Sequence, residues 1–232
     1  MNMNKEELFA VKVPMSTSTY KPVSHRDMYE QTKDLLDKSG IIVANETMQS
    51  NGAGTQLITQ MDIRHPESSE MGMRIAYRNS YNKTMSVGYV AGANVWICSN
   101  GMMSGELKFT RKHTGTVVSD LKDTITNTIE QLEKNFLKLH RHSERMKEID
   151  LSTRAVSELV GRFYLEEDII TSTQLNVIKR QLEEPAYSEF SDPTLWSLYN
   201  HATFAFKEAA PMNYIKQHAK LHDFIETEFE LI

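Results

Sequence analysis

An α+β fold is predicted by three patterns in the sequence. Apolar and polar residues alternate from Ile41 to Cys98, an apolar stripe at helical spacing starts at Val118, and capped helical segments fill the last third. Successive strands with no helix-length pattern between them make an antiparallel sheet, because parallel strands need a crossover. The expected order is an N-terminal helix, an antiparallel meander of four to five strands, a long crossing helix and a helical C-terminal third. Residues 1–150 are expected to form the α+β core, and 151–232 a helical region packed on it or extending it.

The first 20 residues, with "KVPMSTSTYKP", carry turn and strand signals and read as an ordered arm or edge segment. "SHRDMYEQTKDLLDKSG" reads as a helix with Ser24 as cap, Asp27 where a carboxylate suits the dipole, and Gly40 at its end. In "TQLITQMDIR", Leu57, Thr59, Met61 and Ile63 share one face, and Gln56, Gln60, Asp62 and Arg64 lie on the other, the pattern of a half-buried strand. "MGMRIAYRN" sets Met71, Met73, Ile75 and Tyr77 against Arg74, Ala76 and Arg78. After a turn at "NSYNK", Met85, Val87 and Tyr89 continue the apolar side, and "NVWIC" closes the meander through a tight connection at Ala91 to Asn94. The glycine-rich "NGAGTQ" reads as a hairpin loop, since it lacks the lysine and following helix of a phosphate loop.

Val118, Leu121, Ile125, Ile129, Leu132, Phe136 and Leu139 recur every three or four residues, which predicts one helix of about 30 residues. Ser152 opens a shorter helix with Val156, Leu159, Val160 and Phe163 inward, and "QLNVIKRQLEE" makes another. Asp192-Pro193 and Pro211 start the last two, as a carboxylate cap and first-position prolines suit.

Composition narrows the function. A net charge of −5 argues against coating nucleic acid by bulk positive charge, so any such binding needs a local patch. No apolar run approaches the roughly 20 residues of a membrane span, and "MNMNKEELFAVKVP" lacks a signal-peptide core, so a cytoplasmic address without membrane contact is expected. Cys98, the single cysteine, forms no internal disulfide. A nucleophilic thiol needs a base, and no histidine stands in a recognised cysteine-hydrolase context. Cys98 therefore reads as a buried strand end beside an Asn100-Gly101 turn, with no enzyme activity and no cofactor expected. His140 and His142 face different sides of a helix. His218 and His222 share a face but lack the glutamate of an HExxH pattern, so they read as exposed polar residues and no metal is assigned.

Charge clusters say more. Lys134, Lys138, Arg141 and Arg145 step by four, three and four along a helix, and Lys108, Arg111 and Lys112 in "KFTRKH" precede it. Arg64, Arg74 and Arg78 come from neighbouring strands with Gln56 and Gln60, and Tyr77 and Trp96 are expected nearby. An exposed face of this kind can track a single strand through phosphate contacts and stacking. The C-terminal "HDFIETEFELI" is acidic and apolar-tipped, which suits a segment that docks a protein partner or shields a basic groove.

"YKPVSHRDMYE", "MRIAYRNSYNKTMSVGYVAGANVWICSNGM", "RKHTG" and "TLWSLYNHATFAFKE" resemble, in that order, segments of a phage- and plasmid-encoded family classed as domain of unknown function 932. The resemblance spans nearly the whole chain and is most specific in "RNSY" and "VWICSNG". It implies a mobile-element origin and a bacterial cytoplasm, and it supplies no reaction. The order helix, meander, crossing helix is also similar to the core of single-strand annealing proteins such as Red-beta and RecT, an analogy of topology alone. The expected function is binding of single-stranded nucleic acid by a homo-oligomer, as an annealing or recombination accessory. Arg64, Arg74, Arg78, Lys108, Arg111, Lys112, Lys138, Arg141 and Arg145 are the expected contacts. The alternative is a module that engages a host or virion protein through its helical third.

Overall fold

The computed structural model describes residues 3–66, 68–96, 98, 100–102, 108–208 and 211–231. The chain is α+β. In order come α1 (Lys5–Ala10), α2 (His25–Lys38), β1 (Val43–Ser50), β2 (Gln56–His65), β3 (Ser68–Ser80), β4 (Val87–Val95), β5 (Asn100–Met102) and β6 (Lys108–Arg111). The helices α3 (Val117–Glu130), α4 (Leu132–Lys147), α5 (Thr153–Leu165), α6 (Ser172–Glu183), α7 (Leu195–Ala205) and α8 (Pro211–Glu228) follow. The sheet runs β1-β2-β3-β4-β5, and β6 also pairs with β4. β4 serves two antiparallel partners along its length: Val87 to Val90 pair with β6, and Ala93 to Val95 pair with β5.

The chain divides into two compact units, Met1–Glu67 with Gly72–Gly92 and Glu106–Asn135, and Ser68–Met71 with Ala93–Gly105 and Phe136–Ile232. In the first unit the apolar side of each strand forms the core. Leu57, Met61, Ile63, Ile75, Tyr77, Val87 and Tyr89 are buried, together with Met28 and Leu36 of α2 and Leu121 and Ile125 of α3. The Tyr77 and Tyr89 rings stack 5.8 Å apart, and the Tyr89 hydroxyl donates to Thr32 Oγ1 of α2 at 3.4 Å. The second unit buries Phe136, Leu139 and Met146 of α4 with Phe163, Ile178, Leu198, Tyr199, Leu221 and Ile225. Most of α7 is buried on all sides, in keeping with a sequence that carries no Asp, Glu, Lys or Arg.

Several elements differ from the sequence reading. The N-terminal arm holds a short helix, α1, closed by a capping box between Asn4 and Glu7. Ala91 to Asn94 form no connection but lie inside β4, where pairing to β5 overrides the local glycine signal. Asn100-Gly101 likewise is strand, opposite Val95 and Asn94, rather than a turn. The long helix is two helices, since the backbone at Gln131, with φ −101° and ψ 2°, departs from helical geometry between them. The stripe continues across that break, but it starts at buried Val117, leaving Val118 54% exposed. α7 is capped by Thr194, whose hydroxyl accepts from Ser197 N at 3.2 Å, two residues beyond Asp192. His218 and His222 are fully buried, not exposed, because α8 packs both into the helical unit. Among the described residues no helix is long and apolar enough to cross a membrane.

Candidate nucleic-acid interface

Residues directly opposed across an antiparallel pair share a face. Asn45, Thr47 and Gln49 of β1 oppose Asp62, Gln60 and Ile58 of β2, so all six lie on the side away from the Leu57, Met61 and Ile63 core. The three β1 residues are exposed, and Arg64, two residues beyond Asp62 on the same side, is exposed too. This side carries amides, hydroxyls and arginines. Gln56 is tied down by its amide, which donates to Thr84 Oγ1 at 2.6 Å.

Arg74 does not reach solvent. It is 2% exposed, and its guanidinium grips the Asp62 carboxylate through Nε to Oδ1 at 2.6 Å and Nη2 to Oδ2 at 3.0 Å. Such a two-point pair is geometrically specific and leaves neither charge for an outside ligand. Ala76 and Val90, on the same side of β3 and β4, are buried as well, so the middle of this face is not the open solvated surface expected. Tyr77 lies on the opposite side, inside the core.

Arg78 is half-buried and lies flat over Gly88 of β4. A Cβ at position 88 would stand 3.1 Å from Arg78 Nε and 3.2 Å from its Cγ. Burial lowers the guanidinium pKa from its usual value. Thr110 opposes Gly88 and Lys108 opposes Val90 in β6, which sets both on this side of the sheet; the Lys108 side chain lies outside the described residues. Arg111 is ion-paired to Asp120 of α3, and Lys112 is exposed just past β6.

Lys138, Arg141 and Arg145 lie in the second unit and are largely matched by acids. Lys138 Nζ is 2.7 Å from Glu226, and Arg145 is 2.9 Å from Glu148. Lys147 bridges Glu144 at 2.8 Å and Glu70 at 2.7 Å. Arg141 is exposed. The acidic C-terminal segment is thereby partly used within the chain, with Glu226 on Lys138 and Glu228 on Arg162.

The second unit also holds a cavity of about 730 Å³ lined by Trp96, Trp196, Phe190, Glu70, Glu189 and Asp192 among others. Those are both tryptophans of the chain. Glu189 and Asp192 are exposed and have no ion-pair partner among the described residues.

The segments that carry the resemblance meet as buried polar clusters. In the first unit, Asn79 Nδ2 donates to the Val23 carbonyl at 2.7 Å and lies 3.0 Å from His25 Nδ1. The Tyr81 hydroxyl accepts from His25 N at 2.8 Å, and Tyr20 donates to the Tyr81 carbonyl at 3.1 Å. In the second, Asn100 Nδ2 donates to both the carbonyl and Oδ1 of Asn200 at 3.1 Å, with buried Cys98 Sγ 3.8 Å from the same Oδ1. These contacts give the motif residues structural work, and Cys98 sits among amides. No curated protein and no solved structure matches the chain. A family model described as a domain of unknown function, DUF932, matches residues 14–223, and the chain belongs to that family.

Proposed function

We propose that the protein binds single-stranded nucleic acid on the outer side of the β1–β3 sheet, with Arg64 and Arg78 as its cationic contacts. The observation that carries this reading is the Arg74–Asp62 pair. It removes Arg74 as a ligand, and it also neutralises Asp62, the carboxylate that β2 presents on that side. Arg64 of β2 and Arg78 of β3 then share that side of the sheet with Asn45, Thr47, Gln49 and Gln60, two cationic groups in a chain of net charge −5. Such a surface attracts phosphate locally without bulk basicity. The annealing role rests on the order of elements, an analogy of topology.

Anisotropy of a labelled single strand tests it. Binding at low salt should weaken as salt rises, and Arg64→Ala with Arg78→Ala should reduce the slope against log salt by about one for each arginine removed. No binding at low salt would end the proposal.

A second reading is favoured by the cavity of the second unit, whose aromatic walls and exposed Glu189 and Asp192 suit a basic side chain of a protein partner. Because both tryptophans line it, intrinsic fluorescence reports its occupation. A saturable change with an arginine-containing peptide, lost in Asp192→Asn, supports a protein-binding role. A response equal to that of a glycine peptide argues against it.

A further inference from the structure

We propose a divalent-metal site of zinc type formed by His142, His222 and Glu226. The two histidines are 80 residues apart, and α4 and α8 of the second unit bring them together. His142 Nδ1 lies 3.2 Å from His222 Nε2, and that same Nε2 lies 3.8 Å from Glu226 Oε2. All three ligand atoms fall within 4.8 Å of one another. A tetrahedral ion with arms of about 2.1 Å holds its ligands about 3.4 Å apart, and the two shorter spacings bracket that edge.

The surroundings suit a metal. His222 and Glu226 are four apart on α8, so one helix face presents both. His142 and His222 are 1% and 0% exposed, and their rings are within 18° of parallel. The Glu226 side chain is 29% exposed and gives a path inward. Its other oxygen, Oε1, accepts from Lys138 Nζ at 2.7 Å, which fixes the carboxylate with Oε2 turned to the imidazoles. Two imidazoles and one carboxylate favour zinc over magnesium or calcium, and three protein ligands leave a fourth position for water or another donor. Without an ion, a hydrogen bond between the imidazoles accounts for the same 3.2 Å spacing, and the experiment separates the two.

The full-length chain, stripped with chelator and dialysed, is titrated with Zn²⁺ in a calorimeter and with Co²⁺ by visible absorption. One zinc per chain and the intense bands of tetrahedral cobalt are expected. Glu226→Gln, a near-isostere at a partly exposed position, should weaken uptake by about tenfold or more, and His222→Ala should abolish it. His140→Ala, on the same helix as His142 but outside the cluster, should leave it unchanged. No uptake by the unmodified chain, uptake unaltered by Glu226→Gln, or equal loss in His140→Ala would overturn the site. If His222→Ala fails to fold by circular dichroism, the Glu226→Gln result decides.

Discussion

Asp62 and Arg74 show how one side chain can reverse the meaning of its neighbour. A buried guanidinium with a two-point carboxylate partner is stable only as a pair, so removing either end leaves an uncompensated charge. Arg74→Ala should therefore lose about 3–5 kcal/mol in urea denaturation, whereas exposed Arg64→Ala should stay within about 0.5 kcal/mol. Replacing both partners with apolar residues, as Asp62→Leu with Arg74→Met, should recover most of the loss. If Arg74→Ala proves as stable as the parent, the pair is dispensable to the fold. Gly54 makes a similar point for the backbone. Its φ is +62°, and a Cβ there would stand 2.6 Å from Met3 Sδ and 2.7 Å from Val11 Cγ2. Gly54→Ala should cost more than about 1 kcal/mol, read as a lowered thermal midpoint.

At the scale of elements, β4 links the sheet to the proposed contact surface, because Arg78 of β3 rests on Gly88. Gly88→Ala should displace Arg78, and it should weaken single-strand binding toward the level of Arg78→Ala while the thermal midpoint changes little. An unchanged affinity would show that the placement of Arg78 is irrelevant. Most elements were legible in the sequence because their signals are local. The cap at Ser24, the alternation through β2, and the stripe from Leu121 to Leu139 all survive in the structure. What the sequence misread depended on pairing between segments rather than on local pattern. Ala91 to Asn94 look like a turn only until β4 runs on through them to pair Ala93 and Asn94 with β5, and Asn100-Gly101 fails as a turn for the same reason. Arg74 looks like a surface arginine because no spacing rule reveals that Asp62, 12 residues earlier, lies across from it. The meeting of His142 with His222 is still less visible, since neither helix alone places them together.

For the whole molecule, acid should be the effective denaturant, because buried neutral histidines occur in both units. His25 of the first unit has its Nδ1 beside the Asn79 amide and its Nε2 3.2 Å from the Gly54 carbonyl, an arrangement that fits an imidazole carrying one proton. Burial lowers its pKa from 6.5 to about 4, against the Gly54 hydrogen bond that favours the charged form. His201 of the second unit is likewise lowered to about 4, with burial outweighing a hydrogen bond to the Phe190 backbone. Since the folded values lie below the unfolded one, the unfolded chain binds more protons at intermediate pH. The stabilisation is fully present above about 6.5 and is lost as pH falls toward 4. A drop from 6.5 to about 4 is a loss of roughly 3 kcal/mol for each such histidine, a substantial part of the stability of a domain. Thermal midpoints measured from pH 7.5 to 4 should be level at the upper end and fall steeply below about 6.5. Carboxylates whose folded-state pKa is depressed release their contribution around and below pH 4, so a fall that starts near 6 belongs to histidine. His25→Gln, which keeps a neutral polar group in place, should lower the midpoint at neutral pH and flatten its decline between 6 and 4. A parent curve that stays level down to pH 4.5 would mean that these histidines are protonated as readily in the folded protein as in the open chain.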